Sequence, residues 1–404
     1  MSSGPDWFRL PGDFRPPVLG LAVSGGGDSI ALLRAAADSL QDIRLDVATV
    51  DHGLRPEAAD EAAFVARTCT GLGLRHDTLR WEGWDGTGNL QAEARAARYR
   101  LLADWARQRG CDAVLLGHTA DDQAETVLMN FARGSGVSGL AGMTERVETA
   151  GMTFLRPLLA ASRAELRAWL RDRGQDWIDD PSNEDPAYTR VRARKLLASL
   201  EPLGLSRDRL TDTALRMQEA DAVLRDRALA LADAIELQAG DVLLPRDAFD
   251  AAPADTRHRV LAAILRTLSG QPYPPRFRPL RALAQAQDGV LHGCRVTSAR
   301  GRIRITREAA ALAGVTAQPG APWDGRFRIT GPFVAGDVIA AMGAAAEGPL
   351  PEARDTRLPR ISLAAAPAVW RAGEMIAAPL AGIGVGWTCV ALQRKEDFRA
   401  ALGG

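Results

Sequence analysis

Leu21-Ala22-Val23-Ser24-Gly25-Gly26-Gly27-Asp28-Ser29 is the stretch whose reading decides the fold. A short apolar run from Val18 precedes it and a helical pattern through Ile30, Leu32 and Leu33 follows, so the order is strand, loop, helix. Three consecutive glycines let the backbone turn tightly with its N–H groups facing inward, and Ser24 and Ser29 add hydroxyls at a positive helix end. That geometry suits an anion. It is not the Walker loop, because no lysine follows the glycines, and the third glycine of the dinucleotide fingerprint is missing. Asp28 inside a phosphate cradle would repel its ligand unless a cation lay between them, which implies Mg2+ bound with a nucleotide. The plainer alternative is a glycine turn capped by Asp28.

Outward from this loop the alternation continues. Strands are expected at Leu45–Val50, Arg75–Trp81 and Ala113–Gly117, with helices at Ala58–Leu72, Leu90–Arg109 and from about Thr119. This spacing argues for an α/β fold with a doubly wound parallel sheet covered on both faces. Ser162–Gly174 reads as a helix with a serine N-cap and Glu165 at capping-box spacing. Asp176–Ala187 is turn chemistry with two Asp-Pro pairs, and an arginine-rich helix spans about Thr189–Leu200. Beyond a boundary near residue 203 come expected helices at Arg209–Leu237 and Ala254–Leu268 and a hairpin region at Val296–Thr306. A loose Ala/Pro/Gly stretch, Ala309–Pro322, reads as a linker, and strand-like pieces at Arg326–Thr330 and Ile383–Leu392 follow it. The expected organisation is therefore a catalytic domain over residues 1–203, a mainly helical middle domain over 204–310 and a small α+β domain over 323–404.

With 404 residues, 46% hydrophobic and 25% charged, the chain is a multi-domain globular protein. Basic and acidic residues number 50 each, so affinity for nucleic acid must come from a local surface. Cys69, Cys111, Cys294 and Cys389 form no C-x-x-C pair, and no leader or membrane-spanning run is visible. A cytoplasmic protein is expected.

Three further segments carry chemistry. Asp51 and His52 follow the second strand, where loops at strand carboxyl ends line the ligand crevice of such a sheet; a helix-entry turn with Pro56 is the alternative. Arg95 and Arg98 lie three apart on one helical face, able to address phosphate or simply to form a solvated surface. His118, Asp122 and Glu125 are spaced four and three apart, projecting to one side of a helix that starts near His118. Thr119 with Asp122 would also serve as a capping box, with Glu125 as surface charge.

Ser-Gly-Gly-Gly-Asp-Ser resembles the pyrophosphate loop of the N-type ATP pyrophosphatase (PP-loop) superfamily, an adenine nucleotide alpha hydrolase-like fold. Within it, Val50-Asp51-His52-Gly53-Leu54-Arg55, Asn89 to Tyr99 and Gly117-His118-Thr119-Ala120-Asp121-Asp122-Gln123-Ala124-Glu125-Thr126 are similar to motifs of the tRNA(Ile)-lysidine synthase family. So are Arg156-Pro157-Leu158, Trp177 to Asn183 and Tyr188 to Arg194, although Val191 stands where the family commonly carries Asn. Over the middle domain the likeness reduces to Gly293-Cys294-Arg295 and Arg304 to Glu308.

The resemblance implies an ATP-dependent ligase, with ATP and Mg2+ at Ser24, Gly25, Gly26, Gly27, Asp28, Ser29, Asp51, His52 and Arg95. It implies adenylation of the C2 oxygen of a wobble cytidine in tRNA(Ile) bearing a CAU anticodon, followed by attack of the ε-amine of L-lysine. That amine must be neutral to attack, which requires carboxylates to hold the ammonium and take its proton. Asp122 and Glu125 are assigned this work, Asp28 the metal, and His118 the orientation of phosphate or base. Arg98, Arg190, Arg192 and Arg194 are assigned to tRNA or phosphate, with a basic capping helix as the alternative for the last three. Asp122 is expected to be exposed, so that its replacement by Asn leaves folding intact. A homodimer is left open.

Three rivals remain. A tRNA thiolase would need sulfur-handling cysteines, usually in C-x-x-C pairs. An amide-forming synthetase of small metabolites would not need the long C-terminal extension. A non-catalytic tRNA-binding homologue would not need Asp28, Asp122 and Glu125 intact.

Overall fold

In the computed structural model the described residues are 5–12, 14–53, 58–82, 90–179, 189–350 and 358–403. The chain forms two units, Met1–Asp221 and Ala222–Gly404.

The first unit is built on β1 (Val18–Ala22), β2 (Arg44–Asp51), β3 (Arg75–Arg80), β4 (Ala113–Leu116), β5 (Arg146–Thr149) and β6 (Met152–Leu155), in the order β3-β2-β1-β4-β6-β5. All neighbours are parallel except the β5–β6 hairpin, which closes one edge. Its turn places Ala150 and Gly151 at φ 51° and 70°, the left-handed pair that a two-residue hairpin requires. Because β1 continues to β2 on one side and pairs with β4 on the other, the strand order reverses between β1 and β4. The crevice at their carboxyl ends is where such sheets bind ligands.

Around the sheet lie α1 (Gly27–Ser39), α2 (Ala58–Gly71), α3 (Leu90–Arg109), α4 (Ala120–Ala132), α5 (Val137–Leu140) and α6 (Arg163–Arg171); α7 (Thr189–Leu200) packs on α4, and α8 (Arg207–Ala232) begins in the first unit and ends in the second, where Ala228 and Leu231 join the core. Central strands are apolar on both faces, with Leu19, Leu21, Val47, Leu115 and Leu116 essentially inaccessible, as a sheet covered on both sides demands. Gly20 is needed at one contact. A Cβ there would lie 2.7 Å from the Trp105 ring, so the absent side chain lets α3 lie close on β1. Trp105 is held by Nε1 donating to Asp77 Oδ2 at 2.8 Å, which fixes the rotation of the helix that carries Arg95 and Arg98.

The second unit contains β7 (Glu236–Gln238), β8 (Asp241–Pro245), α9 (Arg246–Ala251), α10 (Ala254–Ser269), α11 (Phe277–Ala286), β9 (Gly289–Leu291), β10 (Cys294–Ala299) and β11 (Arg302–Arg307). Beside its helices it has a five-stranded antiparallel sheet, β7-β8-β11-β10-β9, of which the sequence disclosed only the β10–β11 hairpin. The helix expected over Arg209–Leu237 stops at Ala232, and Ile235 turns inward as the chain enters β7. Then come β12 (Thr316–Ala317), β13 (Phe327–Thr330), β14 (Val338–Ala341), α12 (Arg360–Ala364), β15 (Pro367–Arg371), β16 (Glu374–Ala377), β17 (Thr388–Ala391) and α13 (Lys395–Gly403).

Ala309–Pro322 is not a loose linker. It contains a 3-10 turn and β12, Leu312 is buried, and Val315 O accepts from Trp323 Nε1 at 2.9 Å. Apolar anchors within an Ala/Pro/Gly composition order the segment. Phe398 of α13 returns to the core formed by α10, α11 and β8–β11. No helix among the described residues is long and apolar enough to cross a membrane.

Candidate active site

The loop after β1 has the curvature its glycines allow. Gly25 sits at φ 90°, a region that side chains avoid. Gly26 is the N-cap of α1 and makes no side-chain capping bond, so no cap side chain competes with an anion at the head of this 13-residue helix. The serines shape the loop from within: Ser29 Oγ accepts from Ser24 N–H at 3.1 Å and donates to Gly26 O at 2.9 Å, with Ser24 Oγ at 3.3 Å. A second segment clasps the loop from outside. Ile178 N–H donates to Gly25 O at 2.9 Å, and Trp177 lies where a Cβ on Gly27 would meet its ring at 3.4 Å. The sequence marked this Trp-Ile pair without revealing that its partner is the glycine loop.

The loop after β4 is equally confined. A Cβ on Gly117 would stand 3.2 Å from both Asp28 O and Ser29 Cα, so the two ligand-facing loops touch backbone to backbone. Thr119 caps α4 in a full capping box with Asp122. The capping alternative is thus present, and it does not exhaust Asp122. One oxygen, Oδ2, accepts from Thr119 N–H at 2.9 Å and Oγ at 3.1 Å, while Oδ1 points away to an arginine. Asp122 and Glu125 are both buried, which corrects the expectation of an exposed Asp122.

The arginine is Arg163, the first residue of α6. Its Nε donates to Asp28 Oδ2 at 3.0 Å, Nη2 to Asp122 Oδ1 at 2.6 Å and Nη1 to Glu125 Oε1 at 3.0 Å. Arg194 of α7 donates from Nε to the same Glu125 oxygen at 2.9 Å. Ser162 and Glu165 form the expected capping box, and the Arg163 backbone N–H donates to Asp121 Oδ2 at 2.8 Å, so the guanidinium springs from a fixed base. Sequence reasoning missed Arg163. Its only signal was its place one residue after a well-capped helix start.

Electrostatics divide the site. Burial raises the Asp28 carboxyl and Asp122 adds to the rise, outweighing Arg163. Burial pushes Asp122 upward too, but Arg163, the Thr119 N–H and His118 prevail and hold it below the usual range. Facing these acids is a positive wall. Burial, reinforced by Arg98, Arg156 and Arg190, drives His118 down to about 3 despite Asp122, so its imidazole is neutral at physiological pH. Burial and then Arg98 also lower His52, against Asp51. His52 Nδ1, His118 Nδ1 and Glu125 Oε2 are among the buried polar atoms that have no hydrogen-bond partner. Such atoms are costly unless a ligand completes them.

The remaining residues fall into two groups. Asp51 Oδ1 accepts from Gly53 N–H at 2.8 Å, and His52 packs edge-on against Trp81 at 5.8 Å, at the end of β2. Arg98 and Arg190 join the positive wall. Arg95 is exposed and lies 5.3 Å over the Tyr99 ring, while Arg192 is exposed and donates to Thr189 Oγ1 at 3.1 Å. These two are not gathered with the others. Leu54, Arg55, Pro56, Asn89, Asp180 to Asn183, Asp185, Pro186 and Tyr188 lie outside the described residues.

A nucleoside triphosphate fits the uncapped head of α1 and the cradle around it. Asp28 fits a magnesium ion held mostly by phosphate oxygens, since that ion commonly takes only one or two carboxylates. Among the described residues no three acidic, histidine or cysteine side chains form a self-sufficient metal cage.

Fold and site together define an ATP-handling domain of the PP-loop class, and residues 9–200 match the model of the PP-loop domain family. The chain is 45% identical over 394 residues to a tRNA(Ile)-lysidine synthase of Ruegeria pomeroyi, covering 96% of this chain and 94% of the relative. It is 43% identical to one of Rhodopseudomonas palustris and 42% identical to one of a Bradyrhizobium species, over 69% and 72% of this chain and 82% and 85% of theirs. The chain belongs to the tRNA(Ile)-lysidine synthase family.

Proposed function

We propose that this protein is a carbon–nitrogen ligase that joins the ε-nitrogen of L-lysine to C2 of the wobble cytidine in a tRNA(Ile) with a CAU anticodon, consuming ATP. The observation that carries the reading is the convergence of Asp28, Asp122 and Glu125 on one cation beside the uncapped head of α1. In the first half-reaction the cytidine C2 oxygen attacks the α-phosphorus and pyrophosphate leaves. In the second the lysine amine attacks C2, AMP leaves with the oxygen, and one proton is lost. Mg2+, when bound at Asp28, supplies charge to the leaving pyrophosphate. Backbone N–H groups of Gly26 to Asp28 receive the phosphates, Asp51 and His52 frame the adenosine, Arg98 and Arg190 face phosphate or RNA, the exposed Arg95 and Arg192 meet phosphate or RNA from outside this cluster, and Arg194, bonded to Glu125, reaches phosphate or RNA only by leaving it. Asp122 and Glu125 hold the ammonium, and one of them takes its proton. A neutral His118 orients phosphate or base by hydrogen bonding.

The reading extends beyond residue 203, with residues 204–310 and 323–404 contacting tRNA. A groove between α10 and α11, about 300 Å³ in volume and lined by Arg257, His258, Phe277 and Arg281, supports it. Arginines beside an exposed aromatic ring are what an RNA backbone and an unstacked base require. A cytoplasmic location fits this substrate. The thiolase alternative is disfavoured by the cysteines, which form no C-x-x-C pair and whose thiols burial pushes up to about 12 for Cys69 and Cys389 and about 11 for Cys111 and Cys294, against the thiolate that sulfur transfer uses. The test is incorporation of labelled L-lysine into a tRNA(Ile) transcript bearing CAU. Incorporation that disappears when the wobble C is replaced by U is expected; equal labelling of both transcripts would refute the assigned acceptor.

A further inference from the structure

An ammonium group has three N–H donors and no acceptor. To be held by both Asp122 and Glu125 it needs an accepting oxygen on each. On Asp122, Oδ2 accepts from Thr119 twice, and Oδ1 is engaged by Arg163, whose guanidinium stands between this carboxylate and Glu125. On Glu125, Oε1 is shared by Arg163 and Arg194, while Oε2 is buried without a partner. One acceptor oxygen is therefore without a partner, and the space between the two carboxylates is filled by a guanidinium.

We propose that Arg163 is a specificity-determining residue of the ligase: between Asp122 and Glu125 its guanidinium fills the station that the donor's ammonium takes, and the donor enters by displacing it. This rests on the reading of Asp122 and Glu125 as the amine-binding carboxylates. Charge favours exchange over simple addition to a vacant pocket. Without a cation bonded among them three carboxylates, two of them buried, would repel one another with only Arg194 still bonded to Glu125, an expensive state in a low-dielectric site. Arg163 keeps them together until a second cation arrives. Its long stem lets the guanidinium swing off Asp122 while the backbone stays tied to Asp121. A neutral or hydroxylated donor cannot replace a guanidinium on two carboxylates, so the exchange rejects it before chemistry.

The measurement is binding of L-lysine by calorimetry to full-length protein without ATP or RNA, joined to the lysine dependence of turnover, for Arg163→Gln and Arg163→Lys. Removing the competitor is expected to tighten lysine binding about tenfold in Arg163→Gln, since the charge-assisted bonds made by the guanidinium no longer have to be broken. KM for lysine should fall while kcat does not rise, and millimolar methylguanidinium should weaken lysine binding to this variant but not to the unaltered protein. Arg163→Lys, whose ammonium cannot fork to three acids, should lie between. Should Arg163→Gln fail to fold, Arg163→Lys carries the test alone. Folded variants that bind lysine as weakly as the parent, or more weakly, would overturn the exchange. Failure of the underlying reading looks different: Asp122→Asn and Glu125→Gln would bind lysine as the parent does.

Discussion

A histidine placed among arginines and kept without a proton is a thermodynamic liability in acid. In the unfolded chain His118 takes up a proton near pH 6.5, whereas in the folded chain it does so only near 3. The unfolded state therefore binds more protons between these values, so this contribution to stability is full above about 6.5 and is lost as pH falls towards 3. His118→Asn is expected to flatten the pH dependence of the urea midpoint across that window, and unchanged curvature would mean that the imidazole is not held neutral. Asp122→Asn should nearly abolish lysine incorporation. It should also cost about 1–3 kcal/mol in stability, because it leaves Arg163 short of a charged partner in a buried site; wild-type incorporation by the folded variant would remove Asp122 from the chemistry. The acids and His118 were legible because they recur at helical spacing within one short segment. Arg163 was not, since it lies 38, 41 and 135 residues from its partners and nothing local distinguishes it from any arginine at a helix start.

At the scale of elements, the head of α1 and the loop after β4 are pressed together at Gly117. An alanine there would set its Cβ 3.2 Å from backbone atoms of Asp28 and Ser29, which cannot retreat as a side-chain tip can. Gly117→Ala is expected to cost roughly 1–3 kcal/mol and to raise KM for ATP several-fold with little change in KM for lysine. Equal KM for ATP in the folded variant would show that this contact does not set the phosphate loop. Elements with strong periodicity and recognisable caps were read closely: α3 and α7 match their expected limits, and Ser162 caps α6 as anticipated. The β5–β6 hairpin escaped notice because alanine, at φ 51°, occupies a turn position where Asn or Gly is the usual signal. Strands β7 and β9, three residues each, are too short for alternation to register.

On the scale of the whole molecule, a chain with no net charge must bind RNA through local surfaces. Replacing Arg257 and Arg281 with alanine should raise KM for tRNA, lower the slope of affinity against salt by about one for each phosphate no longer neutralised, and leave kcat at saturating tRNA unchanged. An unaltered salt slope would remove the α10–α11 groove from the RNA interface. The sequence made the first unit legible because its chemistry sits in short motifs at strand ends. Much of the second unit depends on tertiary burial, as Leu312 and Trp323 show by ordering a stretch whose composition suggests a linker.

The most direct measurement is release of pyrophosphate and AMP by the purified protein with ATP, Mg2+ and a CAU-bearing tRNA(Ile) transcript, screened across the amino acids. AMP formation and covalent attachment to the RNA, both requiring L-lysine, are the expected outcome. Absence of AMP with lysine and that RNA present, or equal attachment of an unrelated amino acid, would contradict the ligase reading.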